Sequence, residues 1–128
     1  LVRLDEPWAA DAPRKHKTPQ DFVFSALRGL AVEPPDGRAL VAPFDLLGQL
    51  PWTPGSPAGW PDRAQDWDGA DALMKRIEWS VALADRVGES HEALAAGESM
   101  LGAMLRDATR DGLRRAASGS QALALLLM

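Results

Sequence analysis

The side chains best suited to chemistry gather between Leu50 and Trp79. Trp52, Trp60 and Trp67 stand in a stretch that also carries Pro51, Pro54, Pro57 and Pro61. Indole faces stack on sugar rings or on Pro-rich peptides, and Asp62, Arg63 and Asp66 supply polar neighbours. Arg76, one turn before Trp79, is placed to anchor this acidic stretch by an ion pair. The candidate ligand-binding set is therefore Trp52, Trp60, Asp62, Trp67 and Arg76. The same rings can instead plug gaps between helices, and that structural role is the favoured one, because aromatic area gains more by burial than by exposure.

Other constellations fall short of a chemistry. Asp62, Asp66, Asp68 and Asp71 suggest a calcium loop, but counting from Asp66 the fifth position is Ala70, the sixth Asp71 instead of Gly, and the twelfth Ile77. The EF-hand pattern fails, and these acids read as helix caps and a solvated loop. Gly97-Glu98-Ser99-Met100-Leu101 lacks the second Gly of a nucleophile elbow, and no strand precedes it. There is no cysteine, and His16 and His91 are far apart in the chain. No catalytic residue, metal set or cofactor is assigned. Arg14-Lys15-His16-Lys17 is a basic cluster without interleaved aromatics in a chain of net charge −4; it reads as a solvated loop, with phosphate contact the minor reading, and no nucleic-acid partner is expected. The longest fully apolar run, Ala122 to Met128, is too short to cross a bilayer.

Helices must position these residues. The chain has 128 residues, 46% hydrophobic and 25% charged, the balance of a folded domain. All ten prolines lie at or before Pro61, and nothing alternates over a strand length. The expectation is an all-α bundle of five or six helices with one long ordered Pro/Trp-rich loop and no sheet. Thr18-Pro19-Gln20-Asp21 starts a helix whose apolar face is Phe22, Val23, Ala26, Leu27 and Leu30. A second helix is expected from about Arg38 to Gln49, with Leu40, Val41, Phe44, Leu47 and Leu50 on its apolar side; Pro43 predicts a kink or a later start. Asp68 is expected to cap the longest helix, Gly69 to Val87, with Gly88 beyond it and a stripe of Leu73, Ile77, Val81, Ala84 and Val87 widened by Met74 and Trp79. Ser90 opens the next, to about Leu105, with Gly97 and Gly102 permitting close approach. Asp107 caps a helix to about Ala117, and Ser118-Gly119-Ser120-Gln121 is a capping-box candidate for the last. The organisation is one helical domain: 1–17 leading in, 18–50 two helices, 51–67 the loop, 68–128 three or four helices. Leu1 in place of Met and the uncapped apolar end at Met128 suggest a piece of a longer polypeptide. Because the last helix is apolar all round, Leu123, Leu126 and Leu127 should be buried. Trp60, between Gly59 and Pro61, should be mostly buried against the first or the longest helix.

The order of motifs also resembles a known family. Lys17-Thr18-Pro19-Gln20-Asp21-Phe22-Val23-Phe24-Ser25-Ala26-Leu27-Arg28 is similar to a segment of the bacterial domain-of-unknown-function 1800 family. The likeness continues in Leu47-Gly48-Gln49-Leu50-Pro51-Trp52, in Pro57-Ala58-Gly59-Trp60-Pro61-Asp62, and in Leu73-Met74-Lys75-Arg76-Ile77-Glu78-Trp79. It closes over Ala116 to Leu127, while Glu78 and Pro43 depart from the pattern. The resemblance implies the C-terminal part of a longer, exported or periplasmic protein, and it carries over no catalytic residue. The first reading of function is a non-catalytic helical packing or interaction module. Its partner is the rest of its own longer chain, or a second copy through the apolar last helix. The alternative is one wall of a glycan- or peptide-binding cleft, or an enzymatic one, completed by the missing N-terminal part.

Overall fold

A cap-and-proline signal opens the first helix where the sequence places it. The structure, a computed structural model, describes residues 16–61, 63–88 and 91–128. Helix α1 runs Pro19–Gly29; the Thr18 hydroxyl accepts the Asp21 N–H at 3.2 Å, and Pro19 fills the first turn. Phe22, Val23, Ala26, Leu27 and Leu30 are all buried, as their spacing predicts. The helix ends through Val32 N–H to Leu27 C=O at 2.8 Å, with Ala31 at φ +50°. That is the left-handed position where helices favour Gly. Ala31 is exposed and has no packing to lose, so Ala31→Gly is expected to stabilise the fold by about 1 kcal/mol, read as a higher urea midpoint.

Helix α2 spans Gly37–Leu46, capped by Asp36, whose Oδ1 accepts the Ala39 N–H at 2.8 Å. It passes through Pro43 and stops three residues later, short of Gln49. Leu47 N–H bonds to Pro43 C=O, and Gly48 turns the chain at φ +78°. Phe44 and Leu47 are buried, while Val41, expected on the same side, is exposed. Among the described residues from there to Gly69, the chain is irregular apart from a 3₁₀ turn, Ala64–Asp66.

Helix α3, Ala70–Val87, is the longest. Gly69 precedes it and no side chain caps it, so Asp68 does not have the capping role expected of it. Asp71 instead pairs with Lys75 one turn on, at 2.8 Å. Helix α4 is Ala93–Leu101, shorter than expected; Ser90, the proposed cap, lies outside the described residues. Glu92 caps it with both carboxylate oxygens, accepting from Leu94 N–H and Ala95 N–H. Gly102 then takes φ +51° and a 3₁₀ turn follows, Gly102–Met104. Gly102 therefore serves the turn and not a close approach, whereas Gly97 does admit a neighbour. A Cβ at Gly97 would lie 3.1 Å from a methyl of Leu126. Helix α5, Asp107–Arg115, has Asp107 inside its first turn without a capping bond. Helix α6, Gly119–Leu127, opens on the Ser118 hydroxyl accepting from Gln121 N–H; the Gln121 carboxamide reaches back to Ala117 N–H at 2.6 Å.

Six helices are present among the described residues, and no strand is. Helix α6 lies between α3, α4 and α5, and α1 packs on α2 and α4. One core joins them through Phe22, Val23, Leu30, Phe44, Leu83 and Leu123. Leu123 and Leu127 are buried and Leu126 partly so, but Leu125 stands half exposed, so the last helix is not covered on every side.

Candidate functional site

The aromatic residues of the 51–67 loop do three different things. Trp67 is the plug: it is buried, and its indole N–H donates to Pro61 C=O at 3.1 Å. Its backbone N–H closes the 3₁₀ turn on Ala64 C=O, and its own carbonyl lies 3.3 Å from His16 Nε2. Trp60 leans on it, ring centroids 6.3 Å apart, and is only partly buried. The plug expected at Trp60 is thus Trp67, whose indole finds a carbonyl inside its own loop. Trp52 is 96% exposed and has φ +66°.

Trp52 and Trp60 meet in a groove of about 320 Å³, lined also by Pro51, Pro54 and Gln20. Gln20 is fixed from outside the loop, since its N–H donates to Gln49 Oε1 at 2.9 Å and Gln49 is buried. Gln20, Pro51 and Pro54 were not singled out from the sequence. Gln20 comes from the first turn of α1, remote in the chain, and no spacing links it to the loop.

Arg76 lies elsewhere. It is buried, its guanidinium sits 5.1 Å from the Phe22 ring centroid, and it donates to Lys17 C=O at 2.7 Å. Trp79 meets the same Phe22 ring edge-on at 5.3 Å. Desolvation pushes the Arg76 guanidinium below its ordinary pKa. The ion pair expected to tie Arg76 to the acidic loop is absent among the described residues; a carbonyl and an aromatic face hold the charge instead. Asp62 lies outside the described residues. The structure therefore brings Trp52 and Trp60 together, sets Trp67 behind them as support, and assigns Arg76 to the junction of α3 with the lead-in to α1. Among the described residues no group of His, Asp and Glu is arranged to hold a metal ion.

A second surface emerges on α3. Only part of the stripe expected to face the core does so: Ala84 is buried, and Val87 and Trp79 pack against the core. Arg76, Ser80, Leu83 and Ala84 face inward, whereas Leu73, Ile77 and Val81, with Leu125 of α6, are between 37% and 49% exposed. Met74 and Met128 extend this open apolar face. Between the two helices runs a groove of about 630 Å³, with Ser80 donating to Met128 Sδ at 3.6 Å in its wall and the Ser120 hydroxyl bonded to Asp85 at its end. The registry slips because two polar residues are buried: Ser80 is small enough to let α6 approach, and Arg76 is drawn in by Phe22 and Lys17 C=O.

His91 is structural: its Nε2 lies 2.8 Å from Leu30 C=O and its Nδ1 3.2 Å from Val87 C=O, so it ties the ends of α1 and α3 to the start of α4. Ser99 is exposed on α4, and its neighbour Glu98 pairs with Arg110 of α5. No helix among the described residues is long and apolar enough to cross a membrane.

No curated protein and no solved structure matches the chain. The family described as "Protein of unknown function (DUF1800)" matches residues 1–128, the whole chain, in agreement with the order of motifs from Lys17 to Leu127. On that match and the all-α fold that accompanies it, the chain belongs to the DUF1800 family.

Proposed function

We propose that this chain is a non-catalytic helical packing module, one domain in the C-terminal part of a longer exported bacterial polypeptide. Its working surface is the open α3–α6 face. One observation carries the reading: Leu73, Ile77, Val81 and Leu125 line up on adjacent helices and remain exposed while the core beside them is closed. Apolar residues grouped in this way mark contact surfaces more often than they occur by chance. The rest of the longer chain would cover the face, and in isolation a second copy is the available cover. Replacing Ile77 and Val81 together by Asp tests this. Both side chains are partly covered within the chain, so the double variant should lose about 2–4 kcal/mol of stability, and circular dichroism must show it folded; concentration-dependent association in sedimentation then disappears. Association unchanged in the double variant would remove the face from the account.

A second reading, one wall of a ligand-binding cleft, is favoured by a separate observation. Trp52 is almost wholly open to solvent beside a formed groove.

A further inference from the structure

Trp52 is badly placed for folding by two independent criteria. Thr53 N–H reaches Leu50 C=O at 3.4 Å, which closes a four-residue turn with Pro51 second and Trp52 third. Pro followed by a residue of positive φ is the pattern of a type II turn, whose third position favours Gly or Asn. Trp52 holds φ +66° there, at a strain of about 1–2 kcal/mol for an L-residue. Burial does not offset the strain, because the side chain is 96% exposed. A large aromatic in a Gly-favoured turn, packed against almost nothing, belongs to the class of outliers that cluster at binding sites.

We propose that Trp52 is the stacking platform of a subsite for a neutral pyranose ring, with Trp60, Pro51, Pro54 and Gln20 forming the wall beside it. The inference rests on the cleft reading and names its ligand class. None of the five lining residues is charged, so the groove complements an uncharged ligand. Pro51, Pro54 and the partly buried Trp60 give an apolar wall, and Gln20 is the polar, uncharged residue of the lining. A pyranose has the matching duality: a C–H face for the indole and hydroxyls for an amide. At about 320 Å³ the groove is at the small end of ligand sites, suited to one or two rings. A Pro-rich peptide needs an extended aromatic-lined groove, whereas this one is short, with two indoles and about 320 Å³.

The test titrates the 128-residue chain by calorimetry with neutral hexasaccharides (gluco-, xylo-, manno- and chito-) and with decaproline. Indole N–H resonances are followed in parallel. At least one saccharide should bind and shift the Trp52 and Trp60 signals. Trp52→Gly should unfold at the same temperature or higher, since Gly relieves the turn, yet bind that saccharide about tenfold more weakly or worse, the equivalent of ~1.4 kcal/mol of lost stacking. Trp52→Phe, which keeps an aromatic face, should retain most of the affinity. Decaproline binding with no saccharide binding would overturn the sugar assignment and leave the cleft standing. Silence toward every probe, or a clear drop in melting temperature for Trp52→Gly, would overturn both.

Discussion

Trp67→Ala is expected to lower the unfolding free energy by about 3–5 kcal/mol, the range for removing a large buried aromatic. The ring is buried under Trp60, and its indole N–H is the partner of Pro61 C=O. Truncation leaves a cavity and returns the carbonyl of the exposed Pro61 to water, and the loop from Leu50 to Gly69 loses its one buried indole. A domain of this size is stable by only about 5–15 kcal/mol, so the variant should unfold at markedly lower urea. Trp52→Ala is the internal control, nearly neutral because its ring touches so little. Equal losses at the two positions, or a loss below about 1 kcal/mol at Trp67, would show that the loop is not pinned in this way.

The second large effect belongs to α6. Leu123 is fully buried on the helix that lies between α3, α4 and α5. Leu123→Ala should remove about 2–5 kcal/mol, and the surrounding helices have little freedom to collapse into the space. Leu125→Ala, two residues on and half exposed, should remove under about 1 kcal/mol. Denaturant unfolding of the pair measures the orientation of α6 directly. Similar losses would mean that the helix is rotated from the arrangement described.

Much of the architecture was legible because local signals and tertiary packing agree. Thr18-Pro19 and Ser118 cap the helices they announce, and the five residues of the apolar face expected from Phe22 to Leu30 all reach the core. On α3 the departure comes from polar residues whose partners lie far away in the chain. Nothing in the spacing of α3 indicates that Arg76 and Ser80 are buried, since Arg76 depends on Lys17 C=O and Phe22, and Ser80 on the approach of α6. Once those two turn inward, Leu73, Ile77 and Val81 must turn away. In the loop the deciding contact is local, yet no spacing announces it. That some tryptophan would pin it followed from composition, but which one depends on the Trp67 indole reaching Pro61 C=O. Trp52 needed the structure twice, for its positive φ and for the exposure of its ring, because Trp is a residue that such a turn position disfavours.

The central claim is that the α3–α6 face is a contact surface, and the methionines report on it. Met74 and Met128 flank the face, while Met104, 80% exposed, sits on the 3₁₀ turn after α4. Hydroxyl-radical footprinting of the chain at low and high concentration compares the three side chains in one sample. The account predicts that Met74 and Met128 become protected as concentration rises, that Met104 stays fully reactive, and that Asp at Ile77 and Val81 abolishes the protection. Protection of all three alike, or of none, would contradict it.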